Sequence, residues 1–122
     1  MLRTSPPDVL IGAGGNDNFA FSSTSVGNET IVDFTPGADH LQISVTGAGF
    51  AGHDLVANAA ATVINATSIG AATGGTTNGD FIFDTTSHSL YWDANGGSGA
   101  DAVLLAHLQN VNSLSATDFH LV

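Results

Sequence analysis

One five-residue spacing recurs along the chain and constrains its folding more than any other feature: glycine, any residue, aspartate, any residue, then an apolar residue. It stands at Gly15-Asn16-Asp17-Asn18-Phe19, Gly37-Ala38-Asp39-His40-Leu41, Gly52-His53-Asp54-Leu55-Val56 and Gly99-Ala100-Asp101-Ala102-Val103. Chance alone gives about half a match in a chain of this composition, so four matches need a physical cause. Glycine permits a tight turn whose carbonyls point inward, and an aspartate two residues later adds a carboxylate to that oxygen cluster. The apolar residue then opens a strand and enters the core. Such a loop is an oxygen cage for a hard cation.

The charge balance leaves room for one. Ten Asp and a single Glu, Glu29, face one base, Arg3, which gives a net charge of −10 over 122 residues. A chain so poor in cations is no nucleic-acid binder, because it cannot neutralise phosphates. Nor does it have the basic patch needed to dock on anionic lipid. Cysteine is absent, which removes disulfides, thiol nucleophiles and zinc–thiolate sites. No apolar run approaches the roughly 20 residues of a membrane span, and the opening Met-Leu-Arg-Thr-Ser-Pro-Pro has no signal-peptide core. A hard divalent cation would fill the missing counter-charge.

Patterning divides a single domain, 1–122, into three parts. Residues 8–45 alternate short apolar runs with Gly/Asp/Asn turns: Val9-Leu10-Ile11, Phe19-Ala20-Phe21, Thr30-Ile31-Val32 and Leu41-Gln42-Ile43. Period-two alternation of this kind reads as short strands. Residues 46–79 form an Ala/Gly-rich connection, in which Asp54 is placed to cap a helix through Leu55, Val56 and Ala59, and Thr62-Val63-Ile64 reads as a strand. In residues 80–122, Phe81-Ile82-Phe83 and Leu90-Tyr91-Trp92 flank Thr85-Thr86-Ser87-His88 as a hairpin, and Ala102 to Leu108 reads as a central strand. The expected fold is all-β: a short, partial parallel β-roll packed on an antiparallel sheet or sandwich.

Two of the glycine–aspartate loops extend into a longer pattern. Gly96-Gly97-Ser98-Gly99-Ala100-Asp101-Ala102-Val103-Leu104 fits the nonapeptide G-G-x-G-x-D-x-U-x of calcium-binding rolls. Gly12-Ala13-Gly14-Gly15-Asn16-Asp17-Asn18-Phe19-Ala20 fits it except at Ala13. On these residues the chain resembles the RTX, or haemolysin-type, calcium-binding proteins of Gram-negative type I secretion. Ile31-Val32-Asp33-Phe34-Thr35-Pro36-Gly37-Ala38-Asp39-His40-Leu41 is similar to the segment that follows the last roll turn in serralysin-like C-terminal domains. Leu90 to Gly99 resembles the family's L-x-Y-D-x-D-G-x-G stretch, with Trp92 and Asn95 departing from it. Leu114-Ser115-Ala116-Thr117-Asp118-Phe119 looks like its L-x-A-x-D-F close.

The resemblance implies calcium ligands. At the first site they are the backbone oxygens of Gly12 and Gly14 with Asp17, closed by Asp33 or Asp39. At the second they are Asp93, Asn95, the Gly97 carbonyl and Asp101. It also implies a secreted, extracellular protein whose C-terminal signal is read by a type I exporter, and whose calcium-dependent folding follows export. The module is then non-enzymatic, either alone or as the accessory region of a larger secreted protease or polysaccharide-modifying enzyme.

Catalytic readings are poorer. Asp80 and Asp84 share a strand face and read as solvated carboxylates rather than an acid–base pair. His40, His53, His88, His107 and His120 show neither H-x-x-x-H nor H-E-x-x-H zinc spacing. Gly96 to Ala100 misses G-x-S-x-G because position 100 is Ala. Aromatic residues exposed around Trp92 would instead mark a carbohydrate binder. Because Asp101 closes an unbroken nonapeptide and Asp17 a broken one, Asp101→Ala is expected to lower bound calcium more than Asp17→Ala, as counted by calorimetric titration of chelator-stripped protein.

Overall fold

The structure, a computed structural model, describes residues 2–3, 9–24, 29–53, 55–67, 80–93 and 102–122. The fold is all-β, as the alternating pattern predicts. Among the described residues, ten strands form two sheets: β1 (Leu2–Arg3), β2 (Val9–Leu10), β3 (Asn18–Phe21), β4 (Glu29–Ile31), β5 (His40–Ile43), β6 (Val63–Ala66), β7 (Asp80–Asp84), β8 (Ser89–Asp93), β9 (Val103–Leu108) and β10 (Phe119–Leu121). The first sheet has the order β1-β3-β5-β10 and the second β2-β4-β9-β8-β7-β6. From β1 to β5 the chain therefore crosses from one sheet to the other at every step. Each strand pairs in parallel with the strand two places along, β1 with β3, β2 with β4 and β3 with β5.

The period-two pattern explains why the strands sit this way. Phe19, Leu41 and Phe119 fall in one register row of the first sheet, and Phe21, Ile43 and Leu121 in the next. Leu10, Ile31 and Leu108 make the matching row of the second sheet. All nine side chains are buried, and they belong to one core cluster with Phe34, Phe50, Phe81, Phe83, Leu90 and Trp92. Alternate residues such as Asn18, Ala20, His40, Gln42 and His120 face away, since successive strand side chains point to opposite faces.

The C-terminal third divides its pairing. β7–β8 is the expected hairpin, antiparallel with Phe81 opposite Trp92 and Phe83 opposite Leu90, and β9 joins it antiparallel with a bulge at Leu90/Tyr91. β9 is central, as expected, but pairs in parallel with β4 on its other side. β10 lies in the first sheet, parallel to β5. The antiparallel part is thus β7 to β9 within a mixed sheet, and the two ends of the chain are joined by β5–β10 and β4–β9.

The expected helix after position 54 is replaced by turns. The Ala59 N–H bonds Val56 O, and Asn58 takes a left-handed backbone (φ 64°) so that its N–H reaches Leu121 O at 2.8 Å. That bond covers the outer edge of β10, where a helical N–H would point elsewhere. Asp54 lies outside the described residues. Thr62-Val63-Ile64 contributes β6, as its β-branched residues predict.

The ring of Phe81 links the parts. Its centroid lies 4.6 Å from Phe119 of the first sheet, 4.9 Å from Trp92 and 6.4 Å from Phe50 of the connection. Phe81→Ala should therefore cost about 3–5 kcal/mol, the range for truncating a fully buried phenylalanine. Urea unfolding followed by tryptophan fluorescence measures it.

Candidate metal centre

Asp17 and Asp39 each stand one residue before a strand of the first sheet, β3 and β5, and the parallel register of Asn18 with His40 brings the two turns side by side. The backbone joins them through His40 N–H to Asp17 O, at 2.8 Å. Asp39 adds its side chain. One carboxylate oxygen accepts the Asp17 N–H of the neighbouring turn at 3.0 Å, and the other accepts the Thr35 N–H of its own turn at 2.8 Å.

The same device appears twice more. Asp118, at the start of β10, accepts the Gly37 N–H of the neighbouring turn on Oδ1 (3.0 Å) and the Ser115 N–H of its own turn on Oδ2 (2.9 Å). Asp33, past the end of β4, takes two successive N–H groups of the loop after β2: Gly12 on Oδ1 at 2.8 Å and Ala13 on Oδ2 at 2.7 Å. Ala13 is left-handed, with φ 66°, and consecutive N–H groups in such a turn form a concave anion seat. Asp39 and Asp118 are 2% and 3% exposed, so these bonds compensate buried charge. Charge-assisted bonds of this kind are about twice as strong as neutral ones.

Asp17 differs. Its Oδ2 is buried and has no hydrogen-bond partner. A Cβ built on Gly12 would collide with that oxygen and come within 2.9 Å of Asp17 Cγ, so the absence of a side chain at position 12 makes room for the carboxylate. An orphaned carboxylate oxygen beside a glycine-lined loop fits a hard cation. Of the ligands implied for the first site, Gly12 and Asp17 come together. Gly14 lies in the same loop, exposed and with open space where a Cβ would be. Asp33 and Asp39 already give both oxygens to backbone N–H groups.

Of the second implied site, Asp93 ends β8 and is buried, opposite Asp80 in the β7–β8 register. Asn95, Gly97 and Asp101 lie outside the described residues. Among the described residues no three His, Asp or Glu side chains converge as a metal group. A cage of one carboxylate with backbone carbonyls is a different donor set. Asp84 is not a solvated surface group: it is buried, and its Oδ1 accepts the Thr86 and Ser87 N–H groups to shape the hairpin turn. Trp92 is 1% exposed and donates its indole N–H to Gly49 O, so it offers no stacking platform to a sugar.

Asp118 was legible only as part of a terminal motif. Its role beside Asp39 depends on β10 pairing with β5, 81 residues from its partner Gly37. No protein-family model matches this chain, and no curated protein matches it significantly. Function therefore rests on the site itself.

The two kinds of aspartate respond differently to neutralisation. In chelator, Asp39→Asn puts an amide NH2 against an N–H donor and should cost about 1–3 kcal/mol. Asp17→Asn should leave stability unchanged or raise it, since it removes a buried charge with an unpaired oxygen. Paired denaturant titrations measure the contrast.

Proposed function

We propose that this chain is a calcium-binding, calcium-dependent folding module of a secreted RTX-type protein, non-enzymatic and addressed by its C-terminal segment to a type I exporter. The observation that carries the reading is the orphaned Asp17 oxygen at the Gly12 loop, next to the in-register turn of Asp39. The strand path supports it as well. Parallel strands that alternate between two sheets, with glycine–aspartate turns stacked at their ends, are what a short roll requires.

Ca2+ would be held by Asp17 with backbone oxygens of the Gly12–Gly14 loop, while Asp33 and Asp39 hold the turns that shape it. A second ion would sit among Asp93, Asn95, Gly97 and Asp101. The ion supplies positive charge to a chain that has one arginine and no lysine. Extracellular calcium modules bind at about 10⁻⁴–10⁻³ M, so cytosolic calcium leaves such sites empty and external calcium fills them. Folding is then tightened after export, because binding free energy adds to folding free energy.

Circular dichroism with chelator and with added calcium tests the coupling. At 10 mM Ca2+ each site of that affinity stabilises the fold by about 1.4–2.7 kcal/mol. That raises the melting temperature by roughly 5–12 °C for a domain of this size. Identical melts with magnesium, calcium and chelator would refute the proposal.

A further inference from the structure

We propose that Asp118 sets the calcium affinity of the Gly12–Asp17 loop from outside it, so that the segment 115–121 regulates the first site by docking on the turn between β4 and β5. The inference rests on the calcium reading above and names what controls that site. Asp118 is a positioning residue and does not touch the ion.

One short segment, residues 33–39, grips both ends of the loop. At one end Asp33 accepts the Gly12 and Ala13 N–H groups, at 2.8 and 2.7 Å. At the other, Asp39 accepts the Asp17 N–H at 3.0 Å, and His40 donates its N–H to Asp17 O at 2.8 Å. The width of the loop, and with it the placing of Asp17 Oδ2, therefore follows the spacing of Asp33 and Asp39.

That spacing is set by a turn bonded to itself. Thr35 O accepts the Ala38 and Asp39 N–H groups at 3.0 and 2.8 Å, and Asp39 Oδ2 accepts the Thr35 N–H at 2.8 Å. The Thr35 hydroxyl donates to Asp33 O at 3.4 Å. Gly37 lies within the turn at φ 87°, a backbone that favours glycine. Its N–H is donated to Asp118 Oδ1 at 3.0 Å, 81 residues away.

Asp118 is itself fixed. It is 3% exposed, and its Oδ2 accepts the Ser115 N–H at 2.9 Å. It lies one residue before β10, whose pairing of Phe119 with Leu41 sets it beside the turn. A buried carboxylate that released the Gly37 N–H would keep the desolvation cost and lose the bond. The turn thus holds its shape while the segment 115–121 is docked, and any slack at Gly37 passes to both Asp33 and Asp39. Asp84 is the matched contrast. It is another buried carboxylate that accepts two turn N–H groups, but its turn belongs to the β7–β8 hairpin of the second sheet.

The test is an NMR titration of the full chain with Ca2+, read at the Gly12 and Asp17 amides, which report the first site. Wild-type protein should give a saturable shift. Asp39→Asn should raise Kd about tenfold or more, and Asp118→Asn about threefold or more. Their double variant should lose less than the product of the single losses, because both act through one segment. Asp84→Asn, which loosens a turn by the same chemistry, should keep the wild-type Kd. Every protein is titrated with added trimethylamine oxide, which restores folding to a variant that melts early without occupying the site. An unchanged Kd in Asp118→Asn beside saturable wild-type binding, or an equal weakening in Asp84→Asn, would overturn the inference and leave the calcium reading standing. No saturable shift in wild-type protein would overturn both.

Discussion

The fold depends on aspartate carboxylates that accept backbone N–H groups from the turn next door. Stacking parallel strands brings their turns side by side, and each turn leaves donors with no strand partner. With one arginine in the whole chain, salt bridges cannot balance the acids of these turns. Asp33, Asp39 and Asp118 are instead balanced by N–H dipoles, each with one bond per oxygen to the backbone. Two of the three, Asp39 and Asp118, tie a neighbouring turn to their own. Asp33 holds two adjacent residues of a single loop, and so fixes its shape as well as its position.

The apolar rows complete this arrangement from inside. Phe19, Leu41 and Phe119 repeat one position in three strands drawn from distant parts of the sequence. A row of this kind sets register, because a slip by one residue would turn every core side chain outward. The carboxylates set the same register from the strand ends. Asp39 reaches the Asp17 N–H only when Asn18 stands opposite His40. Two independent interactions thus select one alignment, a consistency expected of a sequence with a single native state.

Much of this could be read from the sequence, and for local reasons. The strands at Phe19–Phe21, His40–Ile43, Asp80–Asp84 and Ser89–Asp93 carry their own period-two pattern, and Thr85–His88 its own turn residues. The all-β class follows from them. What could not be read depends on distant pairing. Nothing near Asp118 says that β10 will lie beside β5. The missing helix has the same origin, since the Asn58 N–H is committed to Leu121 O, 63 positions away. At the candidate metal centre, the glycine–aspartate spacing singled out Asp17 and Asp39 but could not divide their roles. That division needs the hydrogen bonds, which occupy Asp33 and Asp39 and leave Asp17 Oδ2 without a partner.

The connectivity decides how far a local event at that oxygen can travel. β3, whose first residue follows Asp17, pairs with β5, and β5 pairs with β10. β4 pairs with β9, which carries the hairpin of β7 and β8. Phe81 of that hairpin packs on Phe119 of β10, closing a circuit from the first sheet through the core to the second and back. No strand from β3 onward can therefore leave without breaking either a ladder or the core cluster. A chain joined in this way has no separately stable N-terminal half, and a cation held at the Gly12–Asp17 loop would stabilise the C-terminal strands as much as the turn it touched. Stabilisation by mass action acts on the whole cooperative unit, so on the proposed reading the smallest region that would respond to calcium is the entire two-sheet domain.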